Sequence, residues 1–286
     1  MNAPARDTAK AGVRTAELSV VVNGTRLLNS VSVTARRGSI AWLVGTSGAG
    51  KTTLLEAMAG MSRPGAVVSG SMTVGSQNVR LGTRGGRRML ARLRRAGTIG
   101  WAPQNAADTF PCHMPLTAWL APGPFAREFG LYDQLLARRP HELSGGQMAR
   151  VSLAAALARK PDVLFVDEPT AGLEADLART VTAVLARAAA AGTTVLASTH
   201  DLGAMARLAQ ADASTGGRAG VVSTTVLLRS GTTVETTPTE RFCAGQAYTE
   251  YGRAFVRAAP AHGAVPLPPE FDDDLGAAVL SEEESA

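Results

Sequence analysis

A glycine-rich segment between a strand-like run and a helix-like run is the feature that most constrains this chain. The apolar run Ile40–Val44 leads into Gly-Thr-Ser-Gly-Ala-Gly-Lys-Thr-Thr at residues 45–53, and helical character follows from Leu54 to Ala59. This is the pattern G-x-x-x-x-G-K-[ST] in the strand-to-helix context that it requires. Its glycines let several backbone N–H groups converge on one anion, and the helix start presents its positive dipole end there. The segment predicts a phosphate-binding loop rather than an ordinary strand–turn–helix connection.

The last residues of this loop add a charge and a metal ligand. Lys51 supplies a positive charge for the outer phosphates of a nucleotide, and Thr52 offers a hydroxyl oxygen to Mg²⁺. The predicted nucleotide contacts are Gly45, Thr46, Ser47, Gly48, Ala49, Gly50, Lys51, Thr52 and Thr53.

Length and composition suit a globular chain. With 286 residues, the chain is long enough for one large domain or two small ones. No run of about 18 apolar residues is present, so no bilayer-spanning segment is predicted. The only cysteines, Cys112 and Cys243, are far apart, which suits a reducing compartment. The net charge of +5 is compatible with an anionic membrane face or with nucleic acid and selects neither.

Shifts in composition divide the chain into segments. Residues 1–14 are polar and aperiodic and predict a flexible tail, whereas residues 259–286 are proline-rich and then acidic and predict disorder. We expect residues 15–258 to form one domain. Within it, residues from about 105 to 160 contain several prolines between short helical pieces, which indicates an inserted helical subdomain.

Strand-like and helix-like segments alternate after the phosphate loop. Val163–Val166 is a continuous apolar run, as in a parallel strand that is buried on both faces, and Thr194–Ser198 is predicted to be the next buried strand. The alternation predicts an α/β layer with a parallel sheet. Asn23-Gly24, between strand-like runs at residues 18–22 and 31–33, predicts an antiparallel hairpin near the start. A helix over residues 202–210 and a closing hairpin of residues 221–229 and 232–235 are also predicted. Ligand sites of such α/β sheets lie beyond the carboxyl ends of the strands. Four polar candidates follow predicted strands: Gln104, Asp167, Glu168 and His200.

Residues 83–95 are rich in arginine. Arg84, Arg87, Arg88, Arg92, Arg94 and Arg95 fall within thirteen positions. A nucleic-acid patch is one interpretation, but the segment lacks the interleaved aromatic residues that stack on bases. A solvated face beside an acidic partner or lipid headgroups is the favoured interpretation.

A second glycine-containing string precedes an alanine-rich helix. Leu143-Ser144-Gly145-Gly146-Gln147 places Ser144 and Gln147 at the spacing of a capping box. The start of the helix that follows is a second potential anion site, and an ordinary capped helix is the plainer alternative.

The order of these motifs resembles the nucleotide-binding subunit of ABC transporters over about residues 16–258. The string Leu-Ser-Gly-Gly-Gln at residues 143–147 is the most specific element, because a phosphate loop alone leaves kinases, GTPases and helicases open. The resemblance implies an α/β P-loop NTPase (RecA-like) core with an antiparallel β subdomain and an inserted helical subdomain. It also implies ATP as substrate, Mg²⁺ as cofactor and ATP hydrolysis as activity.

Each acidic or polar candidate then has an expected role. Asp167, with Thr52 and Gln104, is predicted to hold Mg²⁺ directly or through water. Glu168 is predicted to polarise the attacking water, and His200 to contact the γ-phosphate or to hold Glu168 in place. Gln104 would also report the presence of nucleotide. The simpler alternatives are that Asp167 and Glu168 only end a strand and that His200 has a structural role.

The resemblance further implies a particular assembly. Leu143, Ser144, Gly145, Gly146 and Gln147 would cover ATP bound to a second ATP-binding subunit, identical or related. Two transmembrane permease subunits and, indirectly, a solute-binding protein are the other expected partners, without nucleic acid. The expected location is peripheral, on the cytoplasmic face of the cell membrane.

Two positions depart from the family pattern, and three short strings suggest a branch. Val22 stands where a stacking aromatic is expected, and Glu174 stands where Asp is usual. His141-Glu142, Val68-Ser69-Gly70 and Tyr248-Thr249 resemble the dipeptide, oligopeptide and nickel importers. The alternatives are an exporter subunit, a soluble ABC protein that acts on DNA or the ribosome, and an inert head paired with an active one.

Overall fold

The computed structural model describes residues 11–106, 110, 113–121, 123–214 and 221–258. Residues 1–10 and 259–286 of the two predicted tails, and Cys112, lie outside the described residues. Among the described residues, no helix is both long and apolar enough to cross a membrane.

Eleven strands and nine α-helices follow one another in the described chain. The strands are β1 (Ala11–Val22), β2 (Thr25–Val31), β3 (Thr34–Arg36), β4 (Ile40–Val44), β5 (Ala66–Val74), β6 (Gln77–Arg80), β7 (Ile99–Ala102), β8 (Val163–Val166), β9 (Thr194–Ser198), β10 (Ser223–Arg229) and β11 (Thr232–Pro238). The helices are α1 (Lys51–Ala59), α2 (Arg84–Ala96), α3 (Pro124–Glu128), α4 (Asp133–Leu136), α5 (Gly145–Ala158), α6 (Ala175–Ala190), α7 (Leu202–Ser214), α8 (Thr239–Cys243) and α9 (Glu250–Ala258).

The N-terminal strands form an antiparallel sheet in the order β2-β1-β5-β6, with β3 also paired to β1. Asn23 and Gly24 connect β1 to β2 with positive φ angles of 51° and 83°, as a two-residue hairpin turn requires. The predicted hairpin is thus confirmed, but its second strand is Thr25–Val31 rather than Val31–Val33. β1 begins at Ala11, so residues 11–14 belong to the sheet and not to a tail, because they pair with β3 and β5.

The second sheet has six strands in the order β11-β10-β4-β9-β8-β7. All neighbours are parallel except β10 and β11, which form the predicted closing hairpin. β4, β8 and β9 are buried along their whole length, as their continuous apolar runs predict. Because β4, β9, β8 and β7 are adjacent and parallel, the polar segments that follow them meet at one edge of the sheet.

Two apolar cores stabilise the fold. One fills the space between the two sheets and includes α1 and α2, with Leu54, Leu55 and Met58 at its centre. The other packs α5 and α6 against the opposite face of the parallel sheet and extends into the helical segment between β7 and β8. That segment contains α3, α4 and α5, in agreement with the predicted helical insertion.

The β10–β11 turn links both sheets to the phosphate loop. The Gly231 N–H donates to the Ala49 carbonyl at 3.2 Å, and the Gly231 carbonyl accepts from the Asn29 N–H at 2.8 Å. Gly231 has φ 73°, and a Cβ atom there would lie 2.3 Å from the Leu27 carbonyl oxygen. Glycine is therefore required at this turn both for its φ angle and for its size.

The helices α7, α8 and α9 lie in the last part of the described chain. α7 continues to Ser214, four residues past the predicted end at Gln210. α9 is fixed to β11 by Glu235, whose carboxylate accepts hydrogen bonds from the backbone N–H groups of Tyr248 and Thr249 at 3.2 and 2.6 Å. This places a buried negative charge at the positive end of α9.

Candidate active site

The loop between β4 and α1 has the backbone that a phosphate-binding nest needs. Gly48 and Gly50 have φ angles of 80° and 97°, which are accessible mainly to glycine. A Cβ atom at Gly45 would lie 2.4 Å from the Leu228 carbonyl oxygen, so only glycine lets the loop leave β4 beside β10. Gly50 precedes the first residue of α1, and the free N–H groups of that helix start face the loop.

Lys51 is folded over the loop that it belongs to. Its ammonium group is buried and donates hydrogen bonds to the carbonyl oxygens of Gly45 and Thr46, each at 2.9 Å. Burial lowers the pKa of Lys51, and the nearby charges of Glu168 and Asp167 oppose that shift. The cation therefore lies between the loop and the two acidic residues, where it can meet an incoming polyphosphate.

Asp167 follows β8 and is 3% exposed. Its Oδ1 accepts a hydrogen bond from the Ser198 hydroxyl at 2.5 Å, and the Thr52 side chain also bonds to the carboxylate. Burial raises the pKa of Asp167, whereas the hydrogen bonds from Ser198 and Thr52 act in the opposite direction. Asp167 and Thr52, predicted as metal ligands from separate motifs, are thus brought together.

Glu168 is the meeting point of two further predicted residues. Gln104 donates from Nε2 to one carboxylate oxygen of Glu168 at 2.9 Å, and His200 Nε2 lies 2.5 Å from the other. Glu168 has φ 49°, a left-handed backbone that is uncommon outside glycine, asparagine and aspartate. Such conformations persist where the surroundings hold them, and here the Glu168 N–H donates to the Ser198 hydroxyl at 2.8 Å.

The electrostatic balance at Glu168 keeps its carboxyl ionised. The hydrogen bond from His200 lowers the pKa of Glu168, burial raises it, and the charges of His200 and Lys51 lower it further, so that the net direction is down. A carboxylate with a depressed pKa is a weak proton acceptor but a good hydrogen-bond acceptor. Glu168 is therefore suited to orienting and polarising a water molecule.

Ser198 is a site residue that the sequence interpretation missed. It ends the buried strand β9 and is fully buried, and its hydroxyl group joins Asp167 to the backbone of Glu168. Its position in the sequence, two residues before His200, did not distinguish it, because β9 has a hydroxyl residue at each end. Tyr251 of α9 was missed as well: its hydroxyl bonds to the Thr46 side chain in the phosphate loop.

The oxygen donors at this edge fit Mg²⁺. Mg²⁺ is held by one or two carboxylate or hydroxyl oxygens together with phosphate oxygens and water, and Asp167 and Thr52 are donors of this kind. A hollow of about 460 Å³ lies beside Thr52, Gln104 and Asp167. Among the described residues, no group of three or more His, Cys, Asp and Glu side chains is placed to hold a metal by itself. A metal here would therefore depend on phosphate oxygens.

The Leu143–Gln147 string forms the predicted capping box and lies apart from the loop. Ser144 Oγ accepts from the Gln147 N–H at 3.3 Å, and Gln147 Oε1 accepts from the Ser144 N–H at 3.0 Å. The Gly146 carbonyl accepts from Arg150, which also donates to the Phe129 carbonyl at 2.7 Å. Within the described chain, the hydrogen bonds of the string stay in its own subdomain and do not reach residues 45–53.

The two departures from the family pattern occupy different surroundings. Val22 ends β1 partly buried against the core between the sheets. Glu174 is the exposed N-cap residue of α6, and its side chain makes no capping hydrogen bond. The Glu174 carboxylate therefore does not cap the backbone N–H groups of α6.

Comparison with known families decides the classification. A model of the family described as ABC transporter matches residues 28–171, which is about half of the chain. The chain belongs to the ABC transporter family. The matched segment of this family includes the phosphate loop, Gln104, the Leu143–Gln147 string and both acidic residues.

Several curated ABC proteins are similar in sequence. The energy-coupling factor transporter ATP-binding protein EcfA2 of Lactiplantibacillus plantarum is 34% identical over 52% of this chain and 54% of its own. The zinc import ATP-binding protein ZnuC of Alcanivorax borkumensis is 35% identical, with 55% of this chain and 56% of that protein covered. The Fe(3+) ions import ATP-binding protein FbpC 3 of Rhodococcus jostii is 36% identical, with 62% and 52% covered. The chain spans about half the length of the curated relatives it matches.

Solved ABC structures share the fold. An ATP-binding subunit of an ABC transporter superposes with a TM-score of 0.64 at 19% identity, with 86% of this chain and 98% of that chain covered. CbiO1 from Clostridium perfringens, part of the ABC transporter complex cbiONQ, gives 0.60 at 22% identity, with 82% and 91% covered. The predicted architecture, a P-loop NTPase core with an antiparallel sheet and a helical insertion, is thus confirmed.

Proposed function

We propose that this chain is the ATP-binding and ATP-hydrolysing subunit of an ABC importer. The observation that supports this most directly is the position of Glu168, whose carboxylate contacts both Gln104 and His200 next to the buried ammonium of Lys51. A carboxylate that merely ends a strand has no need of an amide and an imidazole as partners. Here the three side chains converge on the edge of the sheet where the phosphate loop begins.

ATP is the proposed substrate. Its phosphates bind the backbone N–H groups of residues 45–53 and Lys51, which exchanges its bonds to loop carbonyls for phosphate oxygens. Asp167 and Thr52, with Gln104 directly or through water, hold Mg²⁺, and that ion when bound neutralises charge on the phosphate oxygens. Glu168 orients and polarises the attacking water, while His200 fixes the Glu168 carboxylate and lies within reach of the γ-phosphate.

Two heads are proposed to close over each nucleotide. Ser144 and Gln147 bond to each other and not to the phosphate loop, so we propose that Leu143–Gln147 serves ATP bound to a second copy or a related subunit. A hollow of about 450 Å³ beside Glu168 and His200, lined also by residues 170–173, leaves room for such a partner. ATP then acts as the link between the heads, and hydrolysis separates them.

Replacement of Glu168 by Gln tests the catalytic role. Glutamine keeps the shape and one oxygen acceptor but loses the charge that polarises water. We expect steady-state ATP hydrolysis to fall by at least about a hundredfold, while ATP-dependent dimers accumulate and can be seen by size-exclusion chromatography. Lys51→Ala is the companion variant, which should lose ATP affinity itself. Turnover at the wild-type rate in Glu168→Gln would exclude the proposed role.

The chain is further proposed to act at the cytoplasmic face of the cell membrane, driving two permease subunits carried on other chains, with a solute-binding protein as an indirect partner. Two of the relatives are named as import proteins, one for zinc and one for Fe(3+) ions, and they support import over export. Peptide or nickel as cargo stays a prediction from three short strings, because those relatives belong to other branches. Co-purification with the membrane proteins encoded beside it, followed by uptake assays of peptides, Ni²⁺, Zn²⁺ and iron, assigns the cargo.

A further inference from the structure

One surface of the molecule carries charge that the ATPase does not use. Residues 57–107 contain eight arginines and no Asp, Glu or Lys, although the whole chain has a net charge of only +5. Six of these arginines are exposed on or next to α2, and we refer to them together as the arginine face. The arginine face consists of Arg80, Arg84, Arg87, Arg88, Arg92 and Arg95.

The fold separates this charge from the apolar side of the same helix. Gly86, Leu90 and Leu93 are the buried residues of α2 and pack towards the core between the sheets. Arg84, Arg88 and Arg92 follow one another at intervals of four residues, so they form one stripe on the outer side. With 13 residues, α2 presents the arginine face over about 20 Å.

Within the described residues, no ion pair neutralises the charges of the arginine face. Like charges four residues apart on a helix repel each other, which makes the stripe unfavourable unless an anion faces it. The helix is nevertheless held firmly, because Arg94 turns inward and donates to the carbonyl oxygens of Ala59 and Gly60 at the end of α1.

The surroundings favour lipid over nucleic acid as the anionic partner. One apolar side chain next to this region, that of Val67, is 67% exposed. Val67 and Arg87 line the same hollow of about 330 Å³, whose other walls include Leu81 and Leu90. Guanidinium groups beside exposed aliphatic carbon suit the boundary between headgroups and acyl chains. Trp101 is the single aromatic residue in residues 57–107, so stacking platforms for bases are missing.

We propose that the arginine face of α2 docks directly on an anionic membrane surface, in addition to any contact with permease subunits. Basic clusters of four to eight residues on a helix bind acidic headgroups through the negative surface potential of the bilayer. Because Arg94 joins α2 to the end of α1, which begins at the phosphate loop, α1 connects the docked surface to the nucleotide site. The proposal goes beyond ATP hydrolysis and does not depend on it.

Co-sedimentation of the purified full chain with vesicles tests the docking. We expect binding to vesicles that contain phosphatidylglycerol, little binding to pure phosphatidylcholine, and weakening as salt is added. The variant Arg84→Gln/Arg88→Gln/Arg92→Gln should bind about a hundredfold more weakly, since each arginine contributes about fivefold. The corresponding triple change to Lys retains the charge and should retain binding.

The matched control removes three exposed arginines elsewhere. Arg127→Gln/Arg138→Gln/Arg139→Gln lowers the net charge equally on the helical subdomain and should change vesicle binding by less than about threefold. Lys51→Ala should bind vesicles normally even though it loses ATP, which separates this proposal from the proposed ATPase. Equal loss in both triple variants, equal binding to neutral vesicles, or preferential capture of an RNA oligonucleotide over vesicles would each overturn the docking.

Discussion

Ser198 shows how a single hydroxyl group can set the geometry of two acidic side chains. It donates to the buried carboxylate of Asp167 and accepts from the N–H of Glu168, which has a left-handed backbone. Without this bridge, Asp167 loses a hydrogen bond in a site from which water is largely excluded, and the strained peptide of Glu168 loses its restraint. Ser198 is therefore a positioning residue that acts through its two neighbours.

We predict that Ser198→Ala lowers both stability and turnover. Loss of a hydrogen bond to a buried charged group should reduce the free energy of unfolding by about 1–3 kcal/mol, measured by urea denaturation. The matched control is Ser152→Ala, because the Ser152 hydroxyl is buried in α5 without a hydrogen-bond partner in the described chain. That change should be neutral within about 0.5 kcal/mol or stabilising. Equal costs in the two variants would contradict the bridging role.

Val22 gives the second prediction for a single residue. An aromatic ring at the end of β1 is expected to stack on adenine, so Val22→Tyr should tighten ATP binding by about 0.5–1.5 kcal/mol. Titration with a fluorescent ATP analogue measures the change. Val222→Tyr is the control, since it adds the same ring at an exposed position. Val222 lies near the start of β10 and β4, whereas the phosphate loop follows the end of β4. Unchanged or weaker affinity in Val22→Tyr argues against the assignment of this position.

The phosphate loop, Asp167, Glu168, Gln104 and His200 could be predicted because each belongs to a short local sequence pattern. Ser198 and Tyr251 escaped because their roles depend on contacts between distant segments. The Ser198 hydroxyl meets residues 31 and 30 positions away, and Tyr251 meets the phosphate loop from the last described helix. A serine in a strand has no local property that distinguishes such a bridge from an ordinary packed hydroxyl.

At the scale of secondary-structure elements, the attachment of α9 depends on a buried charge. The carboxylate of Glu235 in β11 accepts hydrogen bonds from the N–H groups of Tyr248 and Thr249, from the Thr237 hydroxyl at 2.7 Å and from the Thr249 side chain. Burial raises the pKa of Glu235, but the hydrogen bonds from Thr249, Thr237 and Tyr248 outweigh it, so the pKa lies below the ordinary 4.5. The stability that this carboxylate contributes is present above pH 4.5 and is lost as the pH falls through the lowered value.

Replacement of Glu235 by Gln tests this attachment. The amide keeps one acceptor oxygen but loses the charge at the start of α9, so the free energy of unfolding at neutral pH should drop by about 1–3 kcal/mol. The difference from wild type should shrink in urea titrations carried out below pH 4.5. Glu250→Gln removes an exposed carboxylate from the first turn of the same helix and should cost less than about 1 kcal/mol. A constant difference across pH would refute the role of the charge.

Element boundaries were predicted less well than element types. The alternation of apolar runs identified β4, β8 and β9, since each of these parallel strands is buried along its whole length. The start of β1 was missed because residues 11–14 have no apolar periodicity by themselves, and their strand geometry comes from pairing with β3 and β5. Such pairing joins segments up to about 60 residues apart, which local propensity does not record.

At the scale of the whole molecule, the composite nucleotide site that we propose has its two halves in different parts of the fold. The phosphate loop and Glu168 lie at the edge of the parallel sheet, whereas Leu143–Gln147 makes its hydrogen bonds inside the helical subdomain. The composite site proposed above therefore needs a second head, and the two halves of the site can be inactivated on separate chains.

Mixing two inactive variants tests this arrangement. Lys51→Ala disables the loop, and Gly145→Asp places a negative charge at the start of α5, where an added Cβ meets no atom within 4 Å. Each variant alone should be nearly inactive, because every site in its homodimer lacks one half. A mixed dimer has one intact site, so an equimolar mixture should recover about a quarter of wild-type ATPase activity if the sites work independently. A mixture no more active than its components would rule out a homodimer with shared sites.

The Gly231 turn has a consequence for how this protein tolerates change. The β10–β11 turn, about 180 residues after the phosphate loop in the sequence, holds that loop through its hydrogen bond to Ala49. The same turn contacts Leu27 and Asn29 of β2. A side chain at Gly231 would collide with the Leu27 carbonyl oxygen and force the turn away from β2, next to the loop that is proposed to bind the triphosphate. Truncations or fusions that disturb the second half of the chain should therefore abolish ATP binding, even though the sequence of the phosphate loop is unchanged.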